Sequence, residues 1–372
     1  MIISSFSDLK IVKKYFLEKN FKKTLIITGK NSYFKSNANK LLNNILPNNL
    51  KKFYYFKKNY YPDLIELHQI IKKVNSIKPD IILAVGGGCV IDYAKLANVF
   101  FNIKNISYKV KNSRFDFNKK FCELIAIPTT AGSGAEVTPF AVLYINKVKY
   151  SVENKLIKPD GFIISPKLVI GSNKILKAST GFDAIAQALE SMISVKSNRA
   201  SLEYSKKSLE LSIPNFINYL NNPNRDNSLK MNIAANLAGK AISIAKTNGP
   251  HATSYPFTTE FGINHGHAVS LTLNKFMCLH YIYHFKSVAP FDLKKRFHKI
   301  FQILKVKNIY EFDLLIKNIK KKANLEDNFN KLGINIVSDY HKIIRGVNIQ
   351  RLNNCPIKIT KQDIRDILLM DI

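Results

Sequence analysis

No segment of this sequence holds the roughly eighteen consecutive apolar residues that a membrane-spanning helix needs, although 46% of its residues are hydrophobic. This absence argues against an integral membrane protein. Residues 1–10 also lack the basic start, the apolar stretch and the small-residue cleavage site of a secretion signal. We therefore expect a cytoplasmic protein that does not bind membranes.

Cysteine is scarce, and its positions form no recognisable framework. The sequence contains no Cys-x-x-Cys pair, and its four cysteines lie far apart: Cys89, Cys122, Cys278 and Cys355. This spacing is unlike that of a disulfide scaffold or a zinc knuckle. We expect reduced thiols that act as small buried hydrophobic side chains.

Acidic residues are few, with 26 Asp and Glu against 57 Lys and Arg, and the formal net charge is +31. A charge of this size often indicates a nucleic-acid partner. Here the lysines are spread along the chain among Asn and Ile, and they form no long basic run or arginine-rich tail. We expect no nucleic-acid partner, and a small anionic substrate explains the charge better.

A change of hydrophobic period divides the sequence into two parts. Residues 1–172 alternate short β-branched runs with helical patterns, which is typical of βαβ units around a parallel sheet. From residue 174 the apolar residues recur every three or four positions. At 372 residues the chain is long enough for two domains. We predict an α/β domain with a mostly parallel sheet over 1–172 and an all-helical domain over 173–372.

The strands and helices of the first domain can be placed from the sequence. The predicted strands cover residues 24–28, 53–56, 80–85, 123–127 and 161–164. The predicted helices among them cover residues 63–77 and 89–101.

Two polar segments follow predicted strands of this domain. The triplet Gly86, Gly87 and Gly88 connects a strand to a helix, where a phosphate could approach the backbone and the free N–H groups of the helix start. The segment 128–138 contains three threonines, one serine and two glycines. Its hydroxyl and N–H groups suit a polar cofactor. Each segment could also be an ordinary turn.

A third group of residues has the composition of a metal site. Asp183 and Gln187 lie four positions apart on a predicted helix, so both point the same way. His251, His265 and His267 are three of the eight histidines in the chain and lie in one short segment. A carboxylate, an amide oxygen and two imidazoles can hold one divalent ion with an open position for substrate. The same histidines could also be core or surface side chains.

These segments together resemble motifs of the group III, or iron-containing, alcohol dehydrogenase family. Segments 86–95, 128–138, 181–190 and 251–267 resemble its glycine turn, threonine-rich loop, metal helix and two-histidine motif, in that order. Segment 351–356 resembles the start of its C-terminal helix. The resemblance implies a dinucleotide-binding first domain, an all-helical metal- and substrate-binding second domain, and interconversion of small aldehydes and alcohols.

The resemblance also implies which residues carry each role. Asp183, His251 and His265 are the expected catalytic metal ligands, for one Fe²⁺ or Zn²⁺ ion, with Gln187 as a weak or indirect fourth ligand. The positions expected to bind the cofactor are Gly29, Gly86, Gly87, Gly88, Asp92, Thr129, Thr130, Ser133, Thr138 and Lys149.

Two departures from the family pattern affect metal binding and proton transfer. Gln187 stands where the family usually has a metal-binding histidine, and an amide oxygen is a poorer ligand for Zn²⁺ or Fe²⁺ than imidazole. Tyr255 replaces a histidine often assigned to proton relay. His267, two residues after His265, is therefore our candidate for proton transfer.

A third departure concerns the cofactor. NAD-preferring members tend to carry an aspartate after the first strand, where it bonds the adenosine ribose, whereas this chain has Gly29 followed by Lys30. A missing carboxylate and a nearby cation should admit a 2′-phosphate. We expect NADP(H) to be preferred over NAD(H).

The segments 239–259 and 265–269 narrow the resemblance to the phosphonoacetaldehyde reductase branch of the family. Such a substrate would be reduced to 2-hydroxyethylphosphonate. Lys246, Arg345 and Arg351 are candidates to hold the phosphonate, since arginine suits two-point contacts with such anions. We expect the protein to be a homodimer.

Two other functions stay open. A lyase or cyclase similar to dehydroquinate synthase would share the fold and use NAD only transiently, so net consumption of NADPH separates it from a reductase. A non-catalytic protein that binds anions or nucleic acid would show steeply salt-dependent DNA binding without turnover.

Overall fold

The computed structural model describes residues 9–146 and 148–370, and these residues form two compact units. One unit extends as far as Thr130 and resumes from Gly134 to Ser172. The other contains Ala131–Ser133 and the chain from Asn173 onward. The predicted domains differ from these units at Ala131–Ser133, which belong to the second unit although they lie within the first half of the sequence.

The first unit combines strands and helices. Its strands are β1 (Lys23–Gly29), β2 (Lys51–Lys57), β3 (Ile81–Gly86), β4 (Glu123–Pro128), β5 (Phe140–Ile145), β6 (Val148–Glu153) and β7 (Gly161–Phe162). Its helices are α1 (Leu9–Lys19), α2 (Lys30–Lys35), α3 (Ala38–Ile45), α4 (Leu64–Ile77), α5 (Gly88–Phe100), α6 (Ile106–Lys111) and α7 (Pro166–Ile170), with a 3₁₀ turn at Lys155–Ile157.

A parallel sheet forms the centre of this unit, with the strand order β2-β1-β3-β4-β7. All six residues of β3 are buried, which explains why the inner strands are apolar throughout rather than alternating. The register pairs Gly29 with Lys57 and Gly86 with Pro128. The carboxyl ends of four strands therefore meet at one edge, where open α/β sheets bind their ligands. The predicted parallel α/β domain is confirmed.

An antiparallel hairpin of β5 and β6 was not among the predicted elements. Its register pairs Phe140 with Glu153 and Ile145 with Val148. The hairpin is held by distant parts of the chain, because the N–H of Tyr144 donates to the carbonyl of Pro62 at 2.7 Å. The sequence did carry a local signal for β5, because Phe140–Ile145 is a run of apolar residues rich in aromatic and β-branched side chains.

The regular structure in the described residues of the second unit is all helical, with no strand, which confirms the predicted all-helical part. Its helices are α8 (Lys174–Ile193), α9 (Arg199–Asn221), α10 (Arg225–Ala245), α11 (Gly249–Thr259), α12 (His265–Ile282), α13 (Leu293–Leu304), α14 (Ile309–Lys322), α15 (Ile336–Gly346), α16 (Ile349–Leu352) and α17 (Lys361–Leu369), with 3₁₀ turns at His284–Lys286 and Asn330–Leu332. Of the helices described, none has both the length and the apolar character that crossing a membrane requires.

Glycine allows α12 to approach α8 closely. A Cβ atom at Gly266 would lie 1.9 Å from the carbonyl oxygen of Ser179, a separation that no real side chain can adopt. Gly266 follows directly after His265, the first residue of α12. The close approach therefore positions His265 beside the middle of α8.

A buried histidine in α12 predicts that acid destabilises the folded protein. His280 is completely buried, and neither ring nitrogen has a hydrogen-bond partner among the described residues. Burial lowers the pKa of His280 from 6.5 to about 3, so only the unfolded chain takes up a proton as the pH falls through 6.5. The free energy of unfolding should therefore decrease by about 3 kcal/mol from this group between about pH 6.5 and 4.5.

The measurement is urea unfolding of the wild type and of His280→Leu across this pH range. The variant removes the titrating group, so its stability relative to the wild type should rise as the pH falls. His298→Gln is the matched control, because His298 is exposed on α13. The prediction would be contradicted if the free energies of unfolding of the wild type and His280→Leu changed equally with pH.

Candidate metal centre and cofactor-binding edge

Asp183, His251 and His265 form a cluster of potential metal ligands in the second unit. Asp183 lies on α8, His251 on α11, and His265 begins α12. One ligand atom from each residue lies within 4.8 Å of the others. A carboxylate oxygen and two imidazole nitrogens at this separation suit a single divalent ion. The structure thus brings together three of the four predicted metal ligands as one potential donor set.

The charges within the cluster stabilise one another. Nε2 of His251 lies 3.0 Å from Oδ1 of Asp183, and both side chains are buried. Burial alone would raise the pKa of Asp183, but the hydrogen bond with His251 and the nearby His265 lower it. For His251 the directions are reversed, because burial alone would lower the pKa of the imidazole, but Glu190 and Asp183 raise it to about 9. A cation bound between these groups would take the place of the proton.

Glu190 contacts this cluster and was not among the site residues predicted from the sequence. Its Oε1 lies 2.5 Å from Nδ1 of His251, and its Oε2 accepts the backbone N–H of Asn248 at 2.7 Å. A carboxylate that accepts the Nδ1 proton leaves Nε2 of His251 available for a metal. The sequence did contain a signal, because Glu190 lies seven residues, or two helical turns, after Asp183 and shares its helix face.

Gln187 fits the role of a further ligand. Its side chain is 3% exposed, and its Oε1 is buried with no hydrogen-bond partner in the part of the chain that the structure describes. Its Nε2 lies 3.5 Å from the carbonyl oxygen of Ser133, and a hydrogen bond from Gln187 helps to lower the pKa of Asp183. An unsatisfied buried oxygen is unfavourable, and a cation would satisfy it.

His267 does not join this cluster. It lies two residues after His265 on α12, and side chains two positions apart on a helix point to different sides. Its Nε2 lies 2.6 Å from the carbonyl oxygen of Glu326. By contrast, the ring of Tyr255 has its centroid 6.2 Å from that of His265. A role for His267 in proton transfer stays a prediction.

The glycine triplet lies at the ligand-binding edge of the sheet. A Cβ atom at Gly86 would lie 2.5 Å from Cγ2 of Val90, and one at Gly87 would lie 3.3 Å from Oγ1 of Thr130. Gly88 begins α5, a helix of 13 residues, and Gly87 caps it without any side-chain hydrogen bond. The backbone at this helix start is therefore open to a phosphate.

Asp92 and Thr138, two of the predicted cofactor contacts, are engaged within the first unit. Asp92 accepts the N–H of Val142 at 3.1 Å, and burial raises the pKa of Asp92 to about 6 although Lys95 and Lys149 oppose the shift. Lys95 donates to Oγ1 of Thr138 at 2.9 Å. These contacts attach the hairpin and the end of the threonine-rich loop to α5.

Three other residues predicted to bind the cofactor are divided between the two units, with Thr129 and Gly29 in the first and Ser133 in the second. Thr129 is buried and donates its N–H to the carbonyl of Gly86 at 3.1 Å. Ser133 belongs to the second unit, where its carbonyl lies near Gln187. Gly29 ends β1 at the edge where the strands β1 and β2 finish side by side.

Of the three predicted substrate residues, Arg351 bonds Thr247 and Lys246 precedes that threonine in the chain. Nη1 of Arg351 donates to Oγ1 of Thr247 at 2.9 Å. Lys246 has φ 65° and ψ 171°, a backbone conformation that is essentially restricted to glycine. This connection leads into α11, which carries His251. Arg345 is exposed near the end of α15.

Comparison with known families decides what kind of protein carries these sites. The family model described as iron-containing alcohol dehydrogenase matches residues 2–166, and the model of the C-terminal part of that family matches residues 177–371. The chain belongs to the iron-containing alcohol dehydrogenase family. The predicted resemblance is therefore confirmed over nearly the whole chain.

Individual members of this family are distant relatives. Phosphonoacetaldehyde reductase of Streptomyces viridochromogenes is 29% identical over 217 residues, which are 56% of this chain and 55% of that protein. A 1-propanol dehydrogenase of Citrobacter freundii is 30% identical over 241 residues, 63% of this chain and 59% of that protein. These matches span little more than half the length of each relative.

The fold agrees with solved structures over a longer range. The structure of sulfoacetaldehyde reductase from Bifidobacterium kashiwanohense, in complex with NAD⁺, has a TM-score of 0.86 at 23% identity and covers 97% of this chain and 94% of that one. A 1,3-propanediol oxidoreductase gives a TM-score of 0.88 at 20% identity, covering 99% and 97%. At this identity the likeness establishes the fold of this iron-containing alcohol dehydrogenase family member.

Proposed function

We propose that this chain is a metal-dependent aldehyde reductase that consumes NADPH and acts on a small aldehyde bearing a phosphonate. The observation that carries this proposal is the cluster of Asp183, His251 and His265, with Glu190 holding the ring of His251. Family membership supports the reaction class, because the cluster falls on the motifs by which the sequence resembles the iron-containing alcohol dehydrogenases.

The protein groups around the cluster prepare it for a divalent ion. Glu190 orients the imidazole of His251, Asp183 supplies a negative charge, and Gln187 offers an unsatisfied oxygen. A bound Fe²⁺ or Zn²⁺ would act as a Lewis acid on the aldehyde oxygen. Burial of Asp183 and His251 removes water from these groups, which strengthens their electrostatic interactions.

The carboxyl edge of the parallel sheet supports a dinucleotide. Gly86, Gly87 and the start of α5 leave backbone N–H groups accessible to a pyrophosphate. The cofactor supplies the hydride, and the protein supplies binding and orientation. Gly29 carries no carboxylate to bond a ribose 2′-hydroxyl, which supports NADPH over NADH.

An anionic substrate is supported by the residues before α11 and by one relative. Arg351 and Lys246 flank Thr247 ahead of the helix that carries His251. The relative from Streptomyces viridochromogenes is a phosphonoacetaldehyde reductase. An arginine and a lysine together suit the charge of a phosphonate dianion.

The test is steady-state loss of NADPH absorbance with phosphonoacetaldehyde, compared with acetaldehyde and with NADH in place of NADPH. The protein is assayed as purified, after chelation, and after repletion with Fe²⁺ or Zn²⁺. We expect turnover that depends on metal, with kcat/KM for the phosphonate about a hundred-fold above that for acetaldehyde, since two charge-assisted contacts supply several kcal/mol.

The possible outcomes separate the parts of the proposal. Turnover of acetaldehyde at an equal kcat/KM would remove the phosphonate assignment and leave a general aldehyde reductase. No net NADPH consumption with any aldehyde, in metal-replete protein, would overturn the reductase and favour a lyase or cyclase that uses the cofactor transiently.

A further inference from the structure

The ends of β1 and β2 place a lysine beside a glycine at the ligand-binding edge of the sheet. In the parallel register, Gly29 is the partner of Lys57, and each is the last residue of its strand. Adjacent parallel strands are separated by about 5 Å. The side chain of Lys57 can therefore extend over the backbone of Gly29.

The space beside Gly29 is bordered by two groups that suit a phosphate. A Cβ atom at Gly29 would lie 2.9 Å from Oγ of Ser32 and 3.8 Å from Cε of Lys57. The Ser32 hydroxyl donates to the carbonyl oxygen of Gly29 at 3.0 Å, so it would turn from that carbonyl to bond a phosphate. The backbone of Gly29, with φ −92° and ψ 132°, is one that any residue adopts, so conformation does not require glycine here. The glycine instead keeps this space clear between a hydroxyl and a lysine.

Lys57 retains capacity for an anion. Its Nζ donates to the carbonyl oxygen of Asn59 at 2.7 Å, and an ammonium group has three N–H donors. No carboxylate among the described residues forms an ion pair with it. Burial raises the pKa of the Cys89 thiol at the start of α5, and the nearby positive charge of Lys57 opposes that rise. Lys57 thus lies near both the end of β1 and the glycine turn.

We propose that Lys57, assisted by the hydroxyl of Ser32, recognises the 2′-phosphate of NADP(H) in the space beside Gly29. This inference rests on the proposed function, because it assumes that the sheet edge binds a nicotinamide dinucleotide. The sequence suggested Lys30 as the nearby cation, whereas the structure places Cε of Lys57 3.8 Å from the Cβ position of Gly29. A lysine bound to a phosphate dianion should contribute about ten-fold or more in affinity.

Nucleotide binding tests this assignment without metal, aldehyde or turnover. Isothermal titration of the full chain with adenosine 2′,5′-bisphosphate and with adenosine 5′-monophosphate isolates the 2′-phosphate, because the two ligands differ only there. Lys57→Met keeps the apolar stem of the side chain and removes the charge. Lys58→Met is the matched control, since Lys58 is the exposed next residue.

The wild type should bind the bisphosphate about ten-fold or more tightly than the monophosphate. Lys57→Met should lose that preference while its affinity for the monophosphate stays within about two-fold, and Ser32→Ala should lose part of it. Lys58→Met should match the wild type for both ligands.

Three results with the variants, and two with the wild type, would overturn the inference. Lys57→Met could keep the preference, it could weaken both nucleotides equally, or Lys30→Met could remove the preference instead. A wild type that binds the monophosphate without preferring the bisphosphate refutes this inference alone. A wild type that binds neither nucleotide refutes the proposed cofactor as well.

Discussion

Asp183→Asn should lose metal-dependent turnover by about a thousand-fold or more, because Lewis-acid activation of a carbonyl is worth several kcal/mol. The substitution removes the negative charge that lies 3.0 Å from Nε2 of His251 and leaves the side-chain volume nearly unchanged. Metal affinity should fall with activity. Competition with a chromophoric chelator measures the affinity, and elemental analysis measures the metal content of the purified protein.

Glu190→Gln should have a smaller effect on the same measurements. It weakens the orientation of His251 without removing a ligand, so we expect metal affinity to fall by about ten- to a hundred-fold. Asp226→Asn is the control, since Asp226 forms an exposed ion pair with Lys230 on α10. Unchanged metal affinity in Asp183→Asn, with the protein folded, would contradict the assignment of the cluster.

Lys95→Met should lower the free energy of unfolding by about 3–5 kcal/mol, because the oxygens that the ammonium binds would lose their donor, at about 1–3 kcal/mol for each buried one. Lys95 is completely buried and donates to both oxygens of Thr138 and to the carbonyl of Phe140, at 2.9–3.0 Å. Burial lowers the pKa of Lys95 to about 8, against the opposing effect of Asp92 and Glu136. The ammonium is therefore still protonated at neutral pH.

Urea unfolding gives the change in stability, and hydrogen exchange followed by mass spectrometry locates it. Protection should fall in the loop end and hairpin around residues 134–145, which the ammonium attaches to α5. Lys72→Met is the control, because Lys72 is exposed on α4. Equal stability of Lys95→Met and Lys72→Met would show that the buried ammonium contributes nothing.

The strands of the parallel sheet could be predicted because burial on both faces makes them apolar. The predicted run at 80–85 became β3 at Ile81–Gly86, and the run at 123–127 became β4 at Glu123–Pro128. The hairpin of β5 and β6 was missed although Phe140–Ile145 is an apolar run that favours a strand. Helix bounds in the second part depend on caps and packing that periodicity alone does not show.

Likewise, some residues of the candidate site could be predicted from the sequence and others could not. Residue type and four-residue spacing were enough to predict Asp183 and Gln187 on one helix face. The three histidines in one short segment suggested His251 and His265 as further ligands, and the family resemblance then assigned them that role. The same reasoning did not single out Glu190, although Glu190 shares a helix face with Asp183, because only the packing of α11 brings His251 within 2.5 Å of it. It also favoured His267, whose ring is directed to a backbone carbonyl.

The sequence by itself determined the class of the fold, the order of its parts and the residue types of the metal cluster, because hydrophobic period and motif spacing are local properties. Only the tertiary structure decided which side chains meet. Gly266 brings His265 to α8, the parallel register brings Lys57 to Gly29, and Lys95 attaches α5 to the hairpin. Each of these contacts joins residues far apart in the chain, so its geometry depends on how whole elements pack.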